Sequence, residues 1–206
     1  MSPLQILDLI PTVLSYRKEI YAICLIFLGI LLIPLLSIIV ITNAGFQPIS
    51  DVLVKTDPIT KSTQLLNPDG TLYKAVNLKT IWPVRGAITL GFGESDLPYQ
   101  PFHTGIDIAN PNGRIGDPIV AFIPGKVTTV NKLNWGYGNC VVIDHGDNVT
   151  SLYGHLDTIK VQNGQEVKQG QIIGTEGQTG WATGPHLHFE VRVFGIPVNP
   201  RVFLGT

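Results

Sequence analysis

Ile20 through Ile41 reads IYAICLIFLGILLIPLLSIIVI and contains no charged residue. A helix that is apolar on every face has no side to show to water, so few folds outside a membrane can use such a run. About 20 apolar residues in helical form cross a bilayer core, and the sequence therefore predicts a single transmembrane α-helix over 20–41. Pro34 falls inside it, which a membrane helix tolerates when the freed backbone groups find other partners. Arg17 and Lys18 stand just before the run, and the next charge beyond it is Asp51. Basic residues favour the cytoplasmic side, so residues 1–19 are expected inside and everything after about residue 42 outside. A cleaved signal peptide is the competing reading. Its apolar core is usually only about 7–15 residues, and the nearest small-residue site here is Thr42-Asn43-Ala44. The expectation is a retained anchor.

Residues 42–80 read as a linker or spacer, partly ordered, with an apolar patch at Ile49–Val54 and a turn at Asn67-Pro68-Asp69-Gly70. From about residue 81 to 206 the pattern changes to short β-type runs broken by glycine turns. Expected strands cover 87–90, 118–122, 125–130, 140–144, 150–153, 171–174 and 188–193, and no helical period is evident past residue 80. The working domain is expected to be mainly antiparallel β, with its site in a groove between loops. The 14 basic and 15 acidic residues leave a net charge of −1 without any basic run, which excludes an ordinary nucleic-acid binder. Cys24 and Cys140 are poor disulfide partners, since one belongs to the apolar run and the other to a distant strand.

Four of the five histidines stand in suggestive contexts. In His103-Thr104-Gly105-Ile106-Asp107 an extended chain would hold the first and last residues about 13 Å apart, too far to share one ion. The segment must bend if both are ligands, and Gly105 permits a turn. In His186-Leu187-His188 a strand puts both imidazoles on one face, about 7 Å apart at Cα, with Leu187 and Phe189 on the other. His155 follows Tyr153-Gly154 at the end of a strand, while His145 reads as a polar residue at a strand end. Each string alone reads more readily as ordinary polar positions. Together they supply His, Asp and His, the ligand types of a catalytic zinc with an open position, and two further histidines for proton transfer.

The chain resembles the lysostaphin-type (LytM-like) family of peptidoglycan endopeptidases. The likeness runs through Trp82-Pro83-Val84-Arg85-Gly86, Gly91-Phe92-Gly93, Phe102 to Ala109, Gly136-Tyr137-Gly138-Asn139, Tyr153-Gly154-His155-Leu156 and Gly184 to Glu190, in family order. It implies a mainly β fold, a small antiparallel sheet domain with a groove of the duplicated hybrid motif type. It implies one zinc ion held by His103, Asp107 and His188, with His155 and His186 in catalysis. Joined to the anchor expected over 20–41, it implies a membrane-anchored zinc metalloendopeptidase that cuts peptidoglycan peptides in the periplasm or extracellular wall space. No departure occurs at those five positions, unlike relatives that lost ligands and serve as activators. Where the family often has Arg after the Phe-Gly pair, this chain has Glu94 and Ser95. Residues 164–171 look like the turns of biotinyl/lipoyl-type domains, without a carrier-lysine motif. A non-enzymatic envelope scaffold or activator, and a peptidase acting on an envelope protein, remain the alternatives.

Overall fold

Short runs rich in Val, Ile, Thr and Leu become strands wherever a neighbour can cover one of their faces. The computed structural model describes Tyr21 and residues 50–60, 62–95 and 102–204. The chain divides into two units, 1–42 and 43–206, and the second is the one described below. The apolar run 20–41, apart from Tyr21, lies outside the described residues, as does Cys24. Among the described residues no helix is long and apolar enough to cross a membrane.

The spacer segment folds into strands β1 (Val54–Thr56), β2 (Thr63–Leu66) and β3 (Leu72–Val76), paired antiparallel in that order. The expected turn joins β2 to β3: Gly70 N–H donates to Asn67 O at 2.8 Å, and Gly70 adopts φ +83°. Leu53, Val54, Leu65 and Val76 enter the same buried cluster as the rest of the unit, which is why these short polar strands persist. The described part of the spacer, residues 50–60 and 62–80, is thus part of the fold.

The rest is built on β4 (Ala87–Leu90), β5 (Ile106–Ala109), β6 (Pro118–Val120), β7 (Gly125–Asn131), β8 (Cys140–Asp144), β9 (Val149–Gly154), β10 (Thr158–Ile159), β11 (Glu166–Val167), β12 (Ile172–Thr175), β13 (Leu187–Val193) and β14 (Ile196–Val198). An eight-stranded antiparallel sheet runs β11-β7-β8-β9-β13-β5-β4, with β14 added to β13, and a three-stranded sheet runs β10-β12-β6. A single helical turn, α1 (Arg201–Leu204), ends the described chain. The core holds Phe122, Tyr153, Phe189, Ile106, Ile143 and Leu187, all fully buried. The strand expectations at 87–90 and 140–144 match their bounds, those at 118–122, 125–130 and 188–193 differ by one or two residues at one end, and those at 150–153 and 171–174 differ by one residue at each end.

The β1–β3 sheet packs at one end of the large sheet. Lys74 pairs with Asp147 at 2.7 Å, Tyr73 meets Phe194 edge-on at 5.2 Å, and Ser50 Oγ accepts from Asn199 N–H at 3.0 Å. Phe194 follows the last residue of β13, whereas His188 is its second residue, roughly 20 Å away along the strand. These contacts of the described spacer therefore lie far from the histidine cluster.

Candidate metal centre

Strand β13 organises the site. Alternation sends Leu187, Phe189, Val191 and Val193 into the core and His188, Glu190 and Arg192 to the opposite face. Register sets His188 against Asp107 of β5 on one side and against Gly154 of β9 on the other. His103 reaches the same point from the segment before β5, through a bend at Thr104 and Gly105. The expected bend is present, but the reason for its glycine differs from the expected one. Gly105 does not occupy the left-handed region. A Cβ there would collide with the carbonyl oxygen of Phe189, so glycine is needed because β13 passes so close. Gly105→Ala should cost at least about 1–3 kcal/mol through overpacking and loosen the metal site with it. Denaturant unfolding of the variant beside the parent measures this.

Three side chains converge. His103 Nε2 lies 3.1 Å from Asp107 Oδ1, His188 Nδ1 lies 2.9 Å from the same oxygen, and the two ring nitrogens are 2.9 Å apart. Both imidazoles are buried, while the Asp107 side chain keeps 14% of its exposure. The opposite ring positions are already committed: His103 Nδ1–H donates to Gly91 O at 3.0 Å, and His188 Nε2–H to Glu190 Oε1 at 3.0 Å. With those protons directed outward, two imidazole lone pairs and a carboxylate oxygen face one another. That arrangement is repulsive unless a positive charge lies between them. Ligands at about 2.0–2.2 Å in a tetrahedron sit about 3.3–3.5 Å apart, close to the edges seen here. His103, Asp107 and His188 could therefore hold one metal ion.

Protonation follows from the same charges. Burial disfavours the His188 imidazolium, yet Asp107 and Glu190 outweigh it and raise the pKa. Asp107 is buried too, but the two histidines hold its carboxyl well below the usual carboxylate range. In the metal-free site a proton and a metal ion compete for one position.

The outer support was not among the sequence-derived site residues. Glu190 is fully buried, and its Oε1 accepts from His188, from Thr104 Oγ at 2.5 Å and from Tyr137 OH at 2.7 Å. Its Oε2 accepts from Arg192 Nε at 2.6 Å. The donors from His188, Arg192 and Thr104 more than offset the burial of Glu190, whose pKa falls. The Tyr137 phenol, buried and facing that carboxylate, is pushed up to about 12. Extending the His186–His188 alternation to positions 190 and 192 was the signal that could have found two of these residues. Partners of this kind fix a ligand's tautomer, and losing them typically lowers metal affinity about 10–100-fold. Glu190→Gln should show that loss in a chelator competition assay. Glu94, at the departure from the family pattern, braces His103: its Oε2 accepts from Gly91 N–H at 2.7 Å, beside the carbonyl that holds the His103 ring.

His155 and His186 lie next to the cluster, their rings 4.7 Å apart, and His155 is 5.9 Å from the His188 ring. His186 Nδ1–H donates to Gly184 O at 2.8 Å, leaving Nε2 at 3.5 Å from Asp107 Oδ2. His155 Nδ1–H donates to Thr179 O at 2.8 Å and its backbone N–H to Tyr137 O at 2.8 Å. Those two bonds hold it at φ +60°, a left-handed conformation uncommon outside glycine and enriched at functional positions. Burial, with His186 and His188 beside it, takes the His155 pKa down to about 4. It is neutral at pH 7, with a free lone pair at Nε2. The five expected residues thus meet at one place. His145 does not: it bonds Pro124 O at 2.7 Å and Ser151 Oγ at 2.8 Å, the structural role expected of it.

Comparison with known proteins places this arrangement. Residues 101–200 match Peptidase family M23. The murein hydrolase activator NlpD of Salmonella dublin is 40% identical over 154 residues, covering 73% of this chain and 39% of that relative. The DD-carboxypeptidase/endopeptidase Mpg of Neisseria meningitidis serogroup B is 46% identical over 98 residues, covering 48% of this chain and 22% of that relative. The chain therefore spans about two fifths or less of the length of these curated relatives. Among solved structures, a zinc containing peptidase from Vibrio cholerae superposes with a TM-score of 0.56 at 36% identity, covering 70% of this chain and 47% of that one. The antiparallel fold, the matched residues and the convergent His-Asp-His cluster agree: the chain belongs to peptidase family M23, the lysostaphin-type (LytM-like) family.

Proposed function

We propose that the chain is a zinc metalloendopeptidase that hydrolyses peptide cross-links of bacterial peptidoglycan. His103, Asp107 and His188 hold the ion, and His155 and His186 act in catalysis. The observation that carries this is the convergence of three lone pairs, with two further imidazoles alongside. The zinc containing peptidase of Vibrio cholerae and the endopeptidase Mpg support it.

Bound zinc supplies Lewis acidity, polarising a peptide carbonyl and making water a nucleophile near neutral pH. The chain's own groups do the rest. His155, neutral at pH 7, offers Nε2 as a proton acceptor, and the carbonyl of Thr179 keeps its other proton in place. His186, aimed by Gly184 O, stands beside Asp107, where its Nε2 can stabilise developing charge or pass a proton to the leaving amine. Glu190 keeps the His188 proton on the outer nitrogen.

Metal uptake requires the inner nitrogen of His188 to be bare. Because its pKa is raised in the metal-free site, a proton must leave when the ion enters at pH 7. Apparent metal affinity should therefore climb by up to about tenfold per pH unit through the neutral range and flatten above the His188 pKa. Calorimetric titrations in buffers of different ionisation enthalpy count the released proton, and a count of zero contradicts the arrangement.

The work would take place outside the cytoplasmic membrane, with the 20–41 run as a single-pass anchor, N-terminus inside. A second reading is a non-enzymatic activator, which the likeness to NlpD favours. Metal content together with a digest of purified cross-linked muropeptides separates the two. An enzyme carries about one zinc and cuts; an activator leaves the muropeptides whole.

A further inference from the structure

All three tryptophans of the chain are exposed: Trp82 by 39%, Trp135 by 58% and Trp181 by 63%. Indole rings left in water forgo their burial free energy, and such residues are favoured where a partner covers them. Trp135 and Trp181 belong to adjoining loops clasped backbone to backbone. Trp181 N–H donates to Gly136 O at 2.9 Å. Gly138 and Gly180 pass so closely that a Cβ on either would strike the backbone of the other loop, and both adopt positive φ. Thr179 ties the clasp further, since its Oγ accepts from Asn139 N–H at 2.9 Å and its carbonyl holds His155. The clasp whose backbone bears the two indoles is the one that aims His155, so both residues stand on loops tied directly to the site.

The chemistry offered there is narrow. The loop segments 133–139 and 177–185 contain no charged residue. The carbonyls of Trp135, Gly136, Tyr137 and Thr179 are taken by internal bonds. A charged peptide laid on this surface would find no counter-ions in these segments, and those four carbonyls are already engaged. A sugar ring can set its C–H face on an indole and keep its hydroxyls in water. From the clasp, and on the peptidoglycan reading above, we infer that Trp135 and Trp181 bind sugar rings of the glycan strand next to the peptide being cut. The substrate is then read on two chemistries, peptide at the metal and glycan on the indoles.

The test uses the full zinc-loaded chain, Trp135→Ala, Trp181→Ala, the double variant, and Trp82→Ala as a control outside the clasp. On cross-linked muropeptides with intact glycan, the double variant should raise KM about tenfold or more and leave kcat within about twofold. On a glycan-free cross-linked peptide it should match the parent, and Trp82→Ala should match the parent on both. Peptide-free glycan strands should alter the tryptophan fluorescence of the parent and not that of the double variant. Equal losses on both substrates, or an unchanged KM on the glycan-bearing one, overturn the inference. If the parent cuts neither substrate, the fluorescence response decides alone. A glycan response lost in the double variant keeps the subsite while the enzyme reading fails, and no response ends both.

Discussion

His188→Ala is expected to yield a folded chain that no longer retains zinc through gel filtration. His188 is the hub of the cluster: its Nδ1 touches both Asp107 Oδ1 and His103 Nε2 at 2.9 Å. Removing it leaves two ligands, where zinc in catalytic sites is held by three. It also leaves Glu190 fully buried without one of its donors, at a stability cost on the order of 1–3 kcal/mol. Metal analysis should fall from about one zinc per chain to near background, and wall-digesting activity should go with it. Circular dichroism with a denaturant titration separates this from unfolding. A variant that keeps full zinc content contradicts the ligand assignment.

His186→Ala gives the opposite pairing of results. Its Nε2 stands 3.5 Å from the second oxygen of Asp107, the one that does not face the other two ligands. Zinc content should therefore stay near the parent's. Proton transfer and charge stabilisation by a positioned histidine are each typically worth about 10²–10⁴-fold, so kcat should fall by that order with KM little changed. The contrast between His188 on β13 and His186 just before that strand is the informative part. Loss of zinc in both variants, or full digestion by His186→Ala, breaks the division between ligand and catalytic partner.

Much of the site was legible because strand alternation and short motifs are local. The paired imidazoles, the need for a bend between His103 and Asp107, and the strand carrying His188 all followed from spacing. The division of roles came from family resemblance. What stayed hidden depends on partners distant in sequence. Gly105 reads as a turn glycine until β13 is seen passing against it. The acceptors that set the tautomers of His103 and His155 are the carbonyls of Gly91 and Thr179, and a backbone carbonyl leaves no sequence signature. Strand β5 was concealed inside the motif that had to bend, because it begins directly after that bend at Ile106. Strands β1 to β3 lack clean alternation and are held by Leu53, Val54, Leu65 and Val76 entering the common core, which propensity cannot foresee. The apolar run 20–41, the plainest feature of the sequence, lies outside the described residues apart from Tyr21.

The central claim, that a zinc site built from His103, Asp107 and His188 cuts wall peptides, is tested most directly by mass spectrometry of the fragments released from purified cell walls. The zinc-loaded chain should release fragments with new amine and carboxyl ends at one kind of peptide bond. A chelator should stop the release and added zinc restore it. Intact cross-links after exhaustive incubation, or release that persists unchanged with the metal stripped, would contradict the account.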